Sequence, residues 1–224
     1  VVYVYDGAEV TSTTREAIYQ PQVGELYVYG GTITGVTSGI EVRRGTIVVS
    51  GGSITGSTKE FSCGTNQTPS SGPTTTGAGL AIAPHAASGE LGAQLTVTIN
   101  GGTFTGVYGL YQGDPDNRIH ENANGVAIQM DISGGHFSGT AVGGGIGSED
   151  YTGFITGGYF TSDPSEYVAG DYAAVESDVD GYTYMVAQKG ETPAEVVVAA
   201  PNVPDPSLSN ATEDEEELAN SVQS

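Results

Sequence analysis

Basic residues are scarce in this sequence: six Lys and Arg stand against 27 Asp and Glu, a formal charge of −21. A surface of that sign repels phosphate backbones and anionic bilayers, which excludes nucleic acid as a partner and membrane insertion as a mode of action. Tryptophan is absent, and cysteine occurs once, at Cys63. One thiol allows no internal disulfide, and no His and Asn accompany it to suggest a nucleophile. No apolar run approaches the roughly 20 residues that span a bilayer, and no charged segment followed by an apolar one marks an export signal. The chain opens without Met, in the alternating stretch Val1-Val2-Tyr3-Val4-Tyr5. That opening reads as a mature or trimmed chain, so export is an inference.

Glycine is abundant instead, with 35 residues beside many Thr, Val, Ser and Tyr, a mixture that favours strands and tight turns over helices. Much of it falls in one pattern: an apolar residue, a polar or tyrosine position, Gly-Gly, any residue, an apolar residue, then Thr or Ser. The copies are Val28-Tyr29-Gly30-Gly31-Thr32-Ile33-Thr34, Val49-Ser50-Gly51-Gly52-Ser53-Ile54-Thr55, Ile99-Asn100-Gly101-Gly102-Thr103-Phe104-Thr105, Ile132-Ser133-Gly134-Gly135-His136-Phe137-Ser138 and Ile155-Thr156-Gly157-Gly158-Tyr159-Phe160-Thr161. A degenerate earlier copy aligns Val4-Tyr5-Asp6-Gly7 with Val28-Tyr29-Gly30-Gly31. The shorter steps give a unit of about 22 residues, within the range of solenoid repeats. Two longer steps contain insertions at 57–79 and 112–124, expected as projecting loops.

The fold class that follows is all-β: a right-handed parallel β-helix, or β-solenoid, of about six coils. Stacked copies predict three inward ladders. Val4, Val28, Val49, Ile99, Ile132 and Ile155 make the first; Ile33, Ile54, Phe104, Phe137 and Phe160 the second; Ile40, Leu80, Leu110 and Ile146 the third. The paired glycines suit sharp corners where φ is positive or two backbones approach closely. The solenoid domain covers 1–186, with a cap from 163 in which Asp180-Gly181 turns a β-hairpin. A terminal strand lies within 187–200, and 201–224 reads as a solvated acidic, Pro-, Ser- and Asn-rich linker or tail.

These Gly-Gly copies, followed by Thr161-Ser162-Asp163-Pro164-Ser165-Glu166-Tyr167-Val168-Ala169-Gly170-Asp171-Tyr172, resemble the pectate-lyase-like β-helix modules of large surface proteins from gut anaerobic bacteria. The resemblance implies an extracellular module, secreted or at the cell surface, within a multidomain parent whose other domains are partners. Such helices act as polysaccharide-cleaving enzymes, adhesins or stalks, so the architecture alone leaves the activity open.

Catalytic candidates concentrate in the second insertion and the coil after it: Asp114, Asp116 and Glu121, with Glu149 and Asp150. Paired carboxylates at the right separation hydrolyse glycosidic bonds, and the same groups in a lyase work with Arg or Lys, which are few here. Asp114, Asp116, Asn117 and Glu121 also offer oxygen ligands for Ca²⁺, without the 12-residue order of an EF-hand. No other cofactor is implied, and the three histidines do not cluster. His136 takes an outward repeat position and is expected to meet solvent. Tyr3, Tyr5, Tyr27 and Tyr29 alternate out of phase with Val4 and Val28 and should share one outer face; Tyr108 and Tyr111 extend the theme. Aromatic platforms bind sugar rings by flat apolar contact, so the leading expectation is a non-enzymatic adhesin or stalk contacting a glycan, a host protein or a bacterial surface protein. A polysaccharide-active lyase or glycoside hydrolase is the alternative.

Overall fold

The computed structural model describes residues 1–64, 73–85, 94–113 and 126–190. The terminal strand and acidic tail expected beyond 190 lie outside them, as do 65–72 of the first insertion and 114–124 of the second.

Strands arrive in threes. β1 (Val2–Val4), β2 (Glu9–Thr11) and β3 (Ile18–Gln20) form the first repeat, and β4 (Glu25–Val28), β5 (Thr32–Thr34) and β6 (Ile40–Val42) the second. The third comprises β7 (Gly45–Val49), β8 (Ser53–Thr55) and β11 (Ala78–Ile82), with two short strands, β9 (Ser62–Cys63) and β10 (Thr75–Thr76), inserted before the last. β12 (Gln94–Ile99), β13 (Thr103–Gly106) and β14 (Tyr108–Gln112) make the fourth, and β15 (Ala127–Ile132), β16 (His136–Gly139) and β17 (Ile146–Ser148) the fifth. A partial sixth adds a bridge at Ile155 and β18 (Tyr159–Phe160).

Each member of the triplet joins its own sheet. The first sheet has the order β1-β4-β7-β12-β15; the second begins β2-β5-β8-β13-β16-β18; the third runs β3-β6-β11-β14-β17. All pairings among these strands are parallel. Three parallel sheets, each taking one strand per repeat, make an all-β, solenoid-like arrangement, with no α-helix among the described residues.

The ladders fall in the expected register. Val4, Val28, Val49, Ile99, Ile132 and Ile155 are successive Cα partners. So are Ile33, Ile54, Phe104, Phe137 and Phe160, and likewise Ile40, Leu80, Leu110 and Ile146. All are buried and form one apolar core. Strand spacing of about 4.8 Å is also a good spacing for aromatic rings. Phe104 and Phe137 accordingly stack at 4.9 Å and 5°, and Phe137 and Phe160 at 5.0 Å and 8°.

The two glycines of each corner serve different needs. The second, as in Gly52 at φ +89° and Gly102 at +92°, sits in the left-handed region that L side chains rarely adopt. The first lies against the preceding repeat: a Cβ on Gly51, Gly101, Gly134 or Gly157 would run into the carbonyl oxygen of Tyr29, Ser50, Asn100 or Ser133.

At the far end the direction reverses. β19 (Tyr172–Glu176) and β20 (Tyr184–Gln188) form an antiparallel hairpin around Asp180-Gly181, and β20 pairs antiparallel with β18. Tyr167 N–H donates to the Pro164 carbonyl in a short 3₁₀ turn, Ser165–Tyr167, and Val168 bridges Ile155.

The insertions differ from projecting loops in one respect. β9 and β10 pair antiparallel, with Cys63 opposite Thr75. This strap lies back on the outer face of the third sheet. Ala78 and Gly79 already belong to β11, and Gln112 is the buried last residue of β14, so both insertions are shorter than 57–79 and 112–124 suggested.

Candidate functional site

Alternation puts Tyr3, Tyr27 and Val48 in one outer row of the first sheet, because their neighbours Val4, Val28 and Val49 point into the core. Tyr5 and Tyr29 extend the strands and form the next row. The four rings are nearly parallel. Across strands, Tyr3 and Tyr27 lie 5.2 Å apart at 19°, and Tyr5 and Tyr29 5.4 Å apart at 27°. Along each strand the spacing is 6.2 Å. Parallel rings this close stack face on face with an offset. Tyr3 and Tyr5 therefore cover one face of Tyr27 and Tyr29, and among the described residues no further strand of this sheet lies on their side away from β4. Tyr3 is 52% exposed and the other three are half-buried. The Tyr27 hydroxyl donates to Glu25 Oε2 at 3.3 Å. Burial within the block, then Glu25, raises the Tyr27 phenol above its usual value; burial and Tyr5 do the same for Tyr29.

Tyr108 and Tyr111 do not extend this block. They stand on β14 in the third sheet, and the strap's Phe61 packs edge-on against both at 4.7 Å. The Tyr111 hydroxyl donates to Glu149 Oε1 at 2.8 Å, and burial followed by that bond pushes its titration far upward. Asp150 is likewise engaged: its N–H donates to Gln112 Oε1 at 3.3 Å, and its Oδ2 accepts from Gln112 Nε2 at 3.5 Å. Glu149 and Asp150 thus fasten the fifth repeat to β14. Asp114, Asp116, Asn117 and Glu121, the remaining catalytic and Ca²⁺ candidates, lie outside the described residues. Among the described residues no three His, Cys, Asp or Glu side chains are grouped to hold a metal ion.

Two clusters escape sequence reasoning. Glu41, in an outer row with Tyr19 and Ala81, looks like an ordinary surface carboxylate but is fully buried beneath the strap. Thr74 N–H donates to Oε1 at 2.8 Å, Thr75 N–H to Oε2 at 2.9 Å, and Thr74 Oγ1 to Oε1 at 3.2 Å. Arg43, also fully buried, donates from Nε to the Ala83 carbonyl at 3.1 Å. Burial pushes Glu41 up to about 7 even though the Thr amides and Arg43 pull the other way. Cys63 sits beside this cluster, with the Thr75 hydroxyl 3.6 Å from its sulfur. Burial drives the thiol up to about 11, which removes thiolate character at neutral pH.

The second is His136. Its half-buried ring meets solvent only in part: it stacks on Tyr159 at 4.9 Å and 13°, and Tyr182 of the cap meets it edge-on at 5.0 Å. Burial lowers its pKa. The signal was the register, since His136 and Tyr159 take the same repeat position; the Tyr182 contact depends on how the cap folds back.

No family model, no curated protein and no solved structure matches the chain. Among the described residues no helix is long and apolar enough to cross a membrane.

Proposed function

We propose that this chain is a non-enzymatic module of a bacterial surface or secreted protein, a right-handed parallel β-helix acting as an adhesin whose tyrosine block binds glycan. The right hand is the reading favoured by general chirality, because crossovers joining parallel strands of one sheet, as β2 and β3 join β1 to β4, are right-handed in about 98% of cases. The tyrosine block carries the functional reading. Four rings held by strand register form a rigid group that loses little freedom on binding. The faces of Tyr3 and Tyr5 on the side away from β4 offer apolar planes to a sugar ring, and the phenol oxygens supply polar contacts at their edge. Glu149 and Asp150 tie down Tyr111 and Gln112, an arrangement suited to a scaffold. The −21 charge favours neutral glycans over polyuronates.

The test is a glycan array with the intact chain, followed by incubation with neutral and acidic polysaccharides with and without Ca²⁺. Binding that disappears in Tyr3→Ala/Tyr5→Ala and weakens in Tyr27→Ala/Tyr29→Ala supports the adhesin. Released oligosaccharide products would replace it with the enzymatic alternative.

A further inference from the structure

The strap forms a second surface feature, unrelated to the tyrosines. Between it, the β2–β3 loop and the β5–β6 corner lies a polar cleft of about 300 Å³, whose lining includes Arg15, Glu16, Thr37, Ser62, Thr74 and Thr76. Its walls are fixed before anything enters. Arg15 N–H donates to Ser12 Oγ at 3.1 Å, and the Arg15 carbonyl accepts from Val36 N–H at 2.9 Å. The Thr37 carbonyl accepts from both ends of the strap, Ser57 N–H at 2.8 Å and Gly77 N–H at 3.0 Å. Thr74 is held by Glu41, and Thr76 lies in the β9–β10 ladder. Such a preformed wall lowers the ordering cost of binding.

Two polar groups on these rigid walls are left over. The Arg15 guanidinium makes no hydrogen bond or ion pair among the described residues, in a chain with six basic side chains in all. The Thr37 hydroxyl oxygen is buried yet has no hydrogen-bond partner there either. Thr37 lines the cleft, so a change of its side-chain rotamer is what would bring this hydroxyl to a ligand there.

We propose that this cleft binds one or two residues of a neutral saccharide. The lining is hydroxyl-rich and contains one cation and one anion whose formal charges cancel, so the complementary ligand is polar, uncharged and able both to donate and to accept. A vicinal diol meets that description: a carboxylate such as Glu16 accepts from both of its hydroxyls, and a guanidinium such as Arg15 donates to neighbouring oxygens in charge-assisted bonds. The acidic chain disfavours an anionic sugar at the same place.

The experiment is an amide-resolved NMR titration of the isotope-labelled chain with galactose, glucose and N-acetylglucosamine, with glucuronate as the charged comparison. Saturable shifts at Arg15, Thr37 and Thr76 are expected with a neutral sugar, weakened at least tenfold in Arg15→Ala and in Thr37→Val. Arg15 is exposed, so its variant keeps the fold, and an unchanged melting curve checks this for both. Tyr3→Ala/Tyr5→Ala should leave these shifts intact, which separates the cleft from the tyrosine block. Shifts absent with all three neutral sugars, shifts that persist in both cleft variants, or tighter binding of glucuronate would overturn the proposal.

Discussion

The Thr74 amide donates to Glu41 Oε1 at 2.8 Å across 33 residues of chain, fastening the strap to the third sheet through a carboxylate that no solvent reaches. Because burial raises Glu41 to about 7 from an ordinary 4.5, the folded state favours its protonated form. Its contribution to stability is fully present below about pH 4.5 and is lost as pH rises through 7. Integrated over that window the effect is at most about 3 kcal/mol. Urea denaturation at pH 5 and pH 8 measures it. Other carboxylates also titrate, so the decisive comparison is Glu41→Gln, in which this part of the pH dependence should vanish. An identical pH slope in the variant would refute the assignment.

Phe137 is stacked on both faces in the middle of the second ladder. Truncation to Ala leaves a cavity between Phe104 and Phe160 and should cost roughly 3–5 kcal/mol. A large drop in the urea midpoint with the m-value unchanged is the expected result. A small loss would mean that the neighbouring repeats collapse into the space.

The corner glycines should respond to Ala according to their separate roles. Gly135→Ala forces a Cβ into positive φ with no neighbour nearer than 3.3 Å, at a cost of about 1–2 kcal/mol. Gly51→Ala drives the Cβ into the Tyr29 carbonyl and should cost more, because backbone has to move. Gly24→Ala is the control: its new Cβ meets nothing nearer than the Gln22 carbonyl at 4.0 Å, so its melting temperature should stay close to that of the parent chain.

His136 should titrate below the ordinary 6.5, because Tyr159 and Tyr182 shield its ring from water. The folded state then prefers neutral imidazole, and that stabilisation is full above 6.5 and declines as pH falls below it. The NMR midpoint of the imidazole reports this directly. Tyr182→Ala exposes the ring edge and should bring the midpoint back toward 6.5; no movement would show that the cap is not what shields it.

The ladders were readable because the Gly-Gly corner gives each repeat an origin, and period-2 alternation then assigns Val28, Val49 and Ile99 to one inward row across an insertion. What lay over the outer rows was not readable. Alternation marks Glu41 and Arg43 as outward and stops there; whether outward means solvent depends on where β9 and β10 fold, a long-range choice that no local pattern encodes. Tyr108 and Tyr111 show the same limit. Their aromatic character was plain, but their separation from the first sheet depends on which strand of the triplet carries them. The tyrosine block lay between these cases: its common face followed from alternation, whereas the stacking that hides most ring faces is a consequence of strand spacing.

The reversal at β20 changes how the second sheet ends. β20 runs antiparallel to β18 and β19 antiparallel to β20, so β19 again points the same way as the repeat strands. Among the described residues the hairpin therefore lengthens this sheet without closing it: β2 at one end and β19 at the other are both edge strands of the same direction, and each can template a further strand.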